Sequence, residues 1–264
     1  MDDWFHSESD SSVWEHIEAL RSMLIRSIGV FMLLCIPAWY FAQPVLDFLL
    51  RTSVPQGIVL HYFTVMEPFL TLLKLTCSLA FLASLPFTLY FIWQFVSPAL
   101  MPDEKRMVIP LLLAAFGLAY AGIALTYFLM MPKIIQFSMS FAGHTMDPVI
   151  GVGSFVSLLL ALMIACAILF QFPVLLYILM IMGFVSAESL AKRRSIVIVG
   201  ILILAALLTP PDVVSQLMLA VPAWLLFELT IFLFRFHQKR DSSLKLYINA
   251  NQQSQQQEES HEQT

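Results

Sequence analysis

Few residues of the 264-residue chain are equipped for chemistry, and their positions are informative. Glu67, Lys74, Gln171, Thr209, Asp212, Gln216 and Glu228 lie within or beside long apolar runs. A polar or ionisable group in such a run is costly, so it marks a paired structural contact or a functional position. For Lys74 the reading is a side chain snorkelling to one surface. For Glu228 it is a pair with Arg235, about two turns further along the same helix. A second set is acidic and lies outside the runs: Glu15 and Glu18 before the first, and Glu104 among Asp103, Lys105 and Arg106 after the second. The acidic face of the helix that carries Glu15 and Glu18 suits a receptor for cations more than a lipid binder.

Nothing points to catalysis. The chain has no G-x-x-x-x-G-K-[ST], no G-x-S-x-G and no complete H-E-x-x-H. Gly151-Val152-Gly153 has Val156 where a third dinucleotide-binding glycine would stand. The six histidines are scattered without metal-ligand spacing. Cys35, Cys77 and Cys166 each sit inside an apolar run and read as small buried hydrophobes. The expectation is a protein that is no enzyme and holds no metal or cofactor.

The elements that must position these residues follow from composition. Hydrophobic residues make up 59% of the chain and charged residues 12%, against about 25% charged in a soluble domain. Only 9 glycines are present, and Lys+Arg (14) falls below Asp+Glu (18). Collagen-like, disordered and nucleic-acid-binding chains are excluded. The class expected is an all-α polytopic membrane protein. Six apolar segments stand out, over residues 22–43, 69–97, 107–131, 154–182, 195–209 and 213–234. Pro86, Pro110, Pro173 and Pro222 fall within them and predict kinked helices. Ser195 to Leu208, ahead of Thr209-Pro210-Pro211, is only about 21 Å of helix, less than the roughly 30 Å hydrocarbon core. Neighbours bury it, the bilayer thins around it, or both.

Basic residues set the orientation. Arg21, Arg26, Lys105, Arg106, Lys192, Arg193, Arg194, Arg235, Lys239, Arg240 and Lys245 share one side, and only Arg51, Lys74 and Lys133 the other. Both termini are therefore expected in the cytoplasm. Ser12-Val13-Trp14-Glu15 fits a capping box, and Val13, Ile17, Leu20 and Leu24 give an amphipathic helix before the first span. No cleavable signal peptide is visible. The organisation expected is a cytoplasmic tail and amphipathic helix over 1–21, a six-span domain over 22–235, and a cytoplasmic, disordered Gln/Glu-rich tail over 236–264.

Three stretches together resemble the TatC family, the multispanning receptor component of the twin-arginine protein translocase. They are His16-Ile17-Glu18-Ala19-Leu20-Arg21, then Tyr90-Phe91-Ile92-Trp93-Gln94-Phe95-Val96-Ser97-Pro98-Ala99-Leu100 with Glu104-Lys105-Arg106, and Leu208-Thr209-Pro210-Pro211-Asp212-Val213-Val214-Ser215-Gln216. Phe170-Gln171-Phe172-Pro173 and Leu226-Phe227-Glu228 add to them. The resemblance runs from about residue 12 to 240. It implies a bacterial inner-membrane receptor with both termini cytoplasmic and short final spans. Such a receptor binds Arg-Arg signal peptides of folded proteins. It recruits TatA- or TatB-like single-span subunits, is homo-oligomeric in its complex, and draws on the proton motive force. Glu104 and Phe95 match the family's signal-peptide surface, and Arg21 matches a family arginine with a structural role among local acids. In this chain Ala19 occupies the family glutamate position, so Glu18 or Glu15 takes its place. Gln171 stands where many members have glutamate, and it keeps hydrogen bonding without titration. Thr209 and Gln216 match the partner-docking polar cluster, or they satisfy backbone freed by Pro210 and Pro211. Asp212 is also a candidate N-cap of span six. The alternative reading is a secondary transporter or channel for a small solute, although repeated halves and midplane charges are missing.

Overall fold

Backbone inside hydrocarbon must satisfy its own hydrogen bonds, which long apolar runs do as helices. The computed structural model describes the backbone of residues 4–53, 60–97, 108–140, 149–209 and 213–262, and side chains chiefly between residues 17 and 238. Its elements in chain order are α1 (Trp4–Ser53), β1 (Leu60–His61), α2 (Glu67–Val96), α3 (Val108–Leu125), a π-helical segment (Thr126–Met130) and α4 (Met131–Ser140). They continue as β2 (Ile150–Gly151), α5 (Val152–Leu169), α6 (Phe172–Ile181), α7 (Ala187–Lys192), α8 (Arg194–Leu208) and α9 (Val213–Glu262).

Five stretches are long and apolar enough to cross a bilayer: Ile17–Ser53, Glu67–Val96, Ile109–Ser140, Val152–Ile181 and Val213–Phe236. They carry the first four and the last of the expected segments. The remaining one, α8, has 15 residues. Of the two final spans expected to be short, only this one is. Val213–Phe236 has 24 residues, about 36 Å of helix.

Three apolar clusters hold the bundle. One joins Leu162, Cys166 and Leu169 to Ile201 of α8 and to Leu219, Ala223 and Phe227 of α9. A second joins Ala42, Leu46 and Leu49 of α1 to Leu75, Met131, Ile135 and Val156. A small third joins Leu82 and Leu85 to Ala119 and Ala167. The fourth span contributes to all three and is the hub. Outward faces remain apolar, as with Met32, Leu33 and Ile36 of α1. A patch of that kind is a liability in water but faces acyl chains in a membrane.

Prolines account for the irregularities. Span four breaks at Phe170-Gln171, where Pro173 lies in the first turn of α6. Span three contains a π-helical turn that the apolar pattern does not foretell. There the Met131 N–H donates to the Thr126 carbonyl, five residues back. Pro132 follows directly, has no N–H, and its ring would meet a carbonyl in a regular α-turn. The wider turn seats it. The Thr126 hydroxyl donates to the Gly122 carbonyl at 3.0 Å and ties the bulge back to α3.

Three further expectations are corrected. Helix α1 begins at Trp4, so Ser12 lies inside it and does not cap its start. Preceding residues already supply the helical turn that a capping box would have opened. Helix α9 runs on to Glu262 through the expected disordered tail. Gln, Glu and Lys are good helix formers once a membrane helix has provided the nucleus. Finally, neighbours do not bury α8. Ile201 and Ala205 are its buried residues, while Ile196, Val199, Ile203 and Leu207 are exposed.

Candidate functional site

The start of α1 runs antiparallel to the end of α2, and a groove of about 200 Å³ opens between them. It is lined by Ala19, Ser22, Met23 and Arg26 from α1 and by Phe91, Gln94 and Phe95 from α2. Arg26 donates from Nη1 to Gln94 Oε1 at 3.3 Å and bridges the two helices. Phe95 is half-buried in this groove, whereas Glu18 and Arg21 are exposed and outside the lining. At 100° per residue, Ser22, Met23 and Arg26 lie within about 60° of Ala19 around the helix. Residue 15 lies about 40° from Ala19 and residue 18 about 100°. By backbone register, position 15 is therefore on the groove face and position 18 is off it. Glu104, in the segment after α2, and the Glu15 side chain lie outside the described residues.

Gln171 occupies the break in span four. Its Nε2 donates to the Ala115 carbonyl of α3 at 3.1 Å. Its Oε1 is buried without a hydrogen-bond partner. The side chain thus pins the break to span three and retains an unused acceptor.

At the far end of the bundle, the Thr209 hydroxyl donates to the Ala205 carbonyl at 2.8 Å, and its N–H donates to the same oxygen at 2.9 Å. Gln216 donates from Nε2 to the Leu202 carbonyl at 3.0 Å. Both serve α8: Thr209 closes its last turn, and Gln216 crosses from α9 to hold it. Asp212 lies outside the described residues. At the other end of this hairpin Glu228 pairs with Arg194, which opens α8, and not with the expected Arg235. The Glu228 carboxylate faces across to α8, where a guanidinium fork fits it at two points, while Arg235 is about 10 Å further along α9.

Sequence reasoning singled out Glu67 without giving it a role. Its carboxylate accepts the N–H groups of Phe63 at 2.7 Å, Thr64 at 3.3 Å and Gly153 at 2.8 Å. It ties down the turn that leads into its own helix and clasps the start of α5. Beside it β1 and β2 pair in parallel, Leu60 with Ile150 and His61 with Gly151. A Cβ on Gly153 would lie 2.8 Å from the Glu67 side chain, so the close approach requires glycine. The Arg26–Gln94 contact and Ser157, which accepts a hydrogen bond from Lys74, have no counterpart in the sequence reading. Long-range pairing leaves no local spacing signal.

Among the described residues no cluster of His, Cys, Asp or Glu is suited to a metal ion. The arrangement offers donors, acceptors and apolar surfaces for recognition. The class it defines is a polytopic helical membrane protein whose polar side chains fasten one helix to another.

The chain belongs to the family described as Sec-independent protein translocase protein (TatC), whose family model matches residues 15–222. It is similar to the TatC protein of Azotobacter chroococcum mcd 1, 35% identical over 229 residues covering 86% of this chain and 90% of that protein. It is also similar to the TatC protein of Escherichia coli (strain K12), 36% identical over 225 residues covering 84% and 87%. A crystal structure of the twin arginine translocase receptor TatC matches with a TM-score of 0.74 at 34% identity, covering 84% of this chain and 98% of that one. A second, in DDM, matches at 0.75 and covers 83% and 98%. The chain is thus a membrane component of the Tat protein translocase and not an enzyme. The solute-carrier alternative falls away.

Proposed function

We propose that the chain is the receptor and core subunit of twin-arginine translocation in a bacterial inner membrane, with both termini cytoplasmic. It binds Arg-Arg signal peptides of folded proteins, assembles with further copies of itself, and recruits TatA- or TatB-like single-span subunits for export driven by the proton motive force. The observation that carries this reading is the groove between α1 and α2. It joins Phe95 to the α1 face that carries position 19, at the end of the bundle from which the Glu104 segment leaves α2.

In the proposed mechanism, one carboxylate comes from Glu104 and the second from Glu15, which helical register favours over Glu18. Two such carboxylates hold two guanidiniums by charge-assisted pairs, while Phe91 and Phe95 offer ring faces to the same cations. Arg21 orders the acids nearby. Gln171, Thr209 and Gln216 belong to the partner-contact regions, with Asp212 and Glu228 shaping the ends of span six. In this proposal Gln171 offers its spare Oε1 acceptor to a partner or water. Thr209 and Gln216 act by fixing the α8–α9 surface on which a single-span helix docks.

The test is binding of a twin-arginine signal peptide to the full chain in detergent, beside a twin-lysine peptide and Glu104→Ala. The expected result is that each change weakens binding about tenfold or more, as loss of a charge-assisted pair of about 1.5–3 kcal/mol requires. Equal binding in all three cases overturns the reading.

A further inference from the structure

Lys74 is a cation inside a membrane span, seven residues beyond the start of Glu67–Val96. Its ammonium donates to Ser157 Oγ at 3.0 Å. Among the described residues the ion pair is Arg194–Glu228, and no carboxylate lies within ion-pair distance of Lys74. The depth of the charge follows from the helix geometry. Glu67 is bonded to the Gly153 N–H, so α2 and α5 enter level with each other. The Lys74 Cα lies about 10.5 Å along α2 from Glu67, and Ser157 about 6 Å along α5 from Gly153. The lysine therefore reaches some 4–5 Å back toward the Glu67 end, and Ser157 holds it there. This is snorkelling with a fixed endpoint.

Below the ammonium, a furrow of about 420 Å³ runs between α2 and α5 and is open along the outside of the bundle. Leu73, Cys77, Ser78, Ala161 and Ile164 line it. The small side chains of Cys77, Ser78, Ser157 and Ala161 leave the furrow unfilled, and Leu73, Leu160 and Ile164 make its walls apolar. Ser157 accepts from Lys74 and retains its own proton for another acceptor.

We propose that this furrow binds an anionic phospholipid, with the phosphate at Lys74 and Ser157 and an acyl chain along Ala161 and Ile164. The argument is charge complementarity at a defined depth. An ammonium in a low-dielectric setting without an ion-pair partner is costly, and Lys74 reaches toward the Glu67 end of the span, the end nearer the lipid phosphates. One net negative charge beside one lysine contributes about 1 kcal/mol, or about fivefold in affinity.

The experiment measures retention of dioleoyl-phosphatidylglycerol and dioleoyl-phosphatidylcholine by the full chain in detergent, using native mass spectrometry. The expected result is about fivefold preference for the anionic lipid in the wild type and in Lys74→Arg. The preference is lost in Lys74→Gln and unaltered in Arg51→Gln, which removes an exposed cation elsewhere on α1. Equal retention of both lipids by the wild type, or an unaltered preference in Lys74→Gln, overturns the proposal. A photoreactive residue at position 73 gives the second readout in native membranes: a lipid adduct is expected, and a predominant protein adduct overturns it in favour of a docking partner. Neither readout involves signal-peptide binding.

Discussion

The Arg194 guanidinium and the Glu228 carboxylate meet in two parallel contacts, Nε to Oε1 at 2.9 Å and Nη2 to Oε2 at 2.9 Å. They close one end of the α8–α9 hairpin, and Gln216 bonded to the Leu202 carbonyl holds α8 just past its midpoint. A helix of 15 residues is thereby fastened at its start and its middle by side chains of one neighbour. The pair is partly exposed, so Arg194→Ala and Glu228→Ala should each cost about 1 kcal/mol. Arg194→Lys should recover only part of this, because an ammonium cannot reproduce the fork. Thermal unfolding in detergent measures the effect. The double variant should cost clearly less than the two single losses added together, as coupling through one contact requires.

The groove face predicts a gain as well as losses. Ala19 lines the groove beside a resident cation, Arg26. Ala19→Glu should tighten twin-arginine peptide binding, and Arg26→Gln should do so by removing like charge, each by about fivefold, the effect of a charge contact near 1 kcal/mol. Glu15→Ala should weaken binding by a similar factor and Glu18→Ala should not. Fluorescence anisotropy of a labelled peptide separates these outcomes. A loss confined to Glu18→Ala would show that α1 turns position 18, and not position 15, toward the peptide.

The clasp around Glu67 can be opened by one atom's chemistry. Its carboxylate accepts the Phe63, Thr64 and Gly153 N–H groups. Glu67→Gln keeps the shape but removes the charge and turns one end into a donor, so it should lower the stability of this end of the bundle. Gly153→Ala attacks the same contact by crowding. Hydrogen exchange should show the amides of residues 63, 64 and 153 exchanging faster in both variants. The amides of α8 should be unaffected.

How much of this was legible in the sequence depends on the range of the signal. Apolar runs fix helices locally, and the first four segments and the last one stand where hydropathy put them. Pro173 announced the break beside Gln171 because proline acts on its own chain. Pro132 acts in the same way, yet it sits just past the expected end of segment three and the π-helical turn went unseen. Partners are another matter. Glu228 was assigned to Arg235 because both lie on one helix face, while the structure pairs it with Arg194 across a hairpin. Nothing in residue spacing ranks a guanidinium 34 residues away, as Arg194 is, above one seven residues on. The role of Glu104 rests on the resemblance alone.

At the break in span four, the Gln171 amide donates to the Ala115 carbonyl at 3.1 Å. Gln171→Leu removes that bond with little change in shape and should cost about 1 kcal/mol. Gln171→Glu should cost more when ionised, since it sets a carboxylate against a carbonyl oxygen in a buried site. Unfolding of the three proteins in one detergent checks this order. A Glu variant as stable as the wild type at neutral pH would mean that another donor reaches this position.

The short α8 sets the last prediction. At 1.5 Å per residue its 15 residues span about 22 Å, while a hydrocarbon core is about 30 Å thick. Protein does not cover the difference, because Ile196, Val199, Ile203 and Leu207 face outward. Helix ends that fall short of the interface must either draw polar groups into the core or draw the bilayer inward, and thinning is the cheaper course at fractions of a kcal/mol per Å. Thr209 already bonds back to Ala205 at one end, and Arg194 is held by Glu228 at the other, so the helix cannot lengthen by unwinding a neighbour. Stability should therefore fall as acyl chains are lengthened from 14 to about 22 carbons in reconstituted bilayers. Inserting four leucines, about 6 Å of helix, before Leu208 should move the optimum toward thicker bilayers even where it disturbs the Gln216 contact. An optimum that stays put in the lengthened variant would show that bundle packing, and not the bilayer, sets the length of this helix.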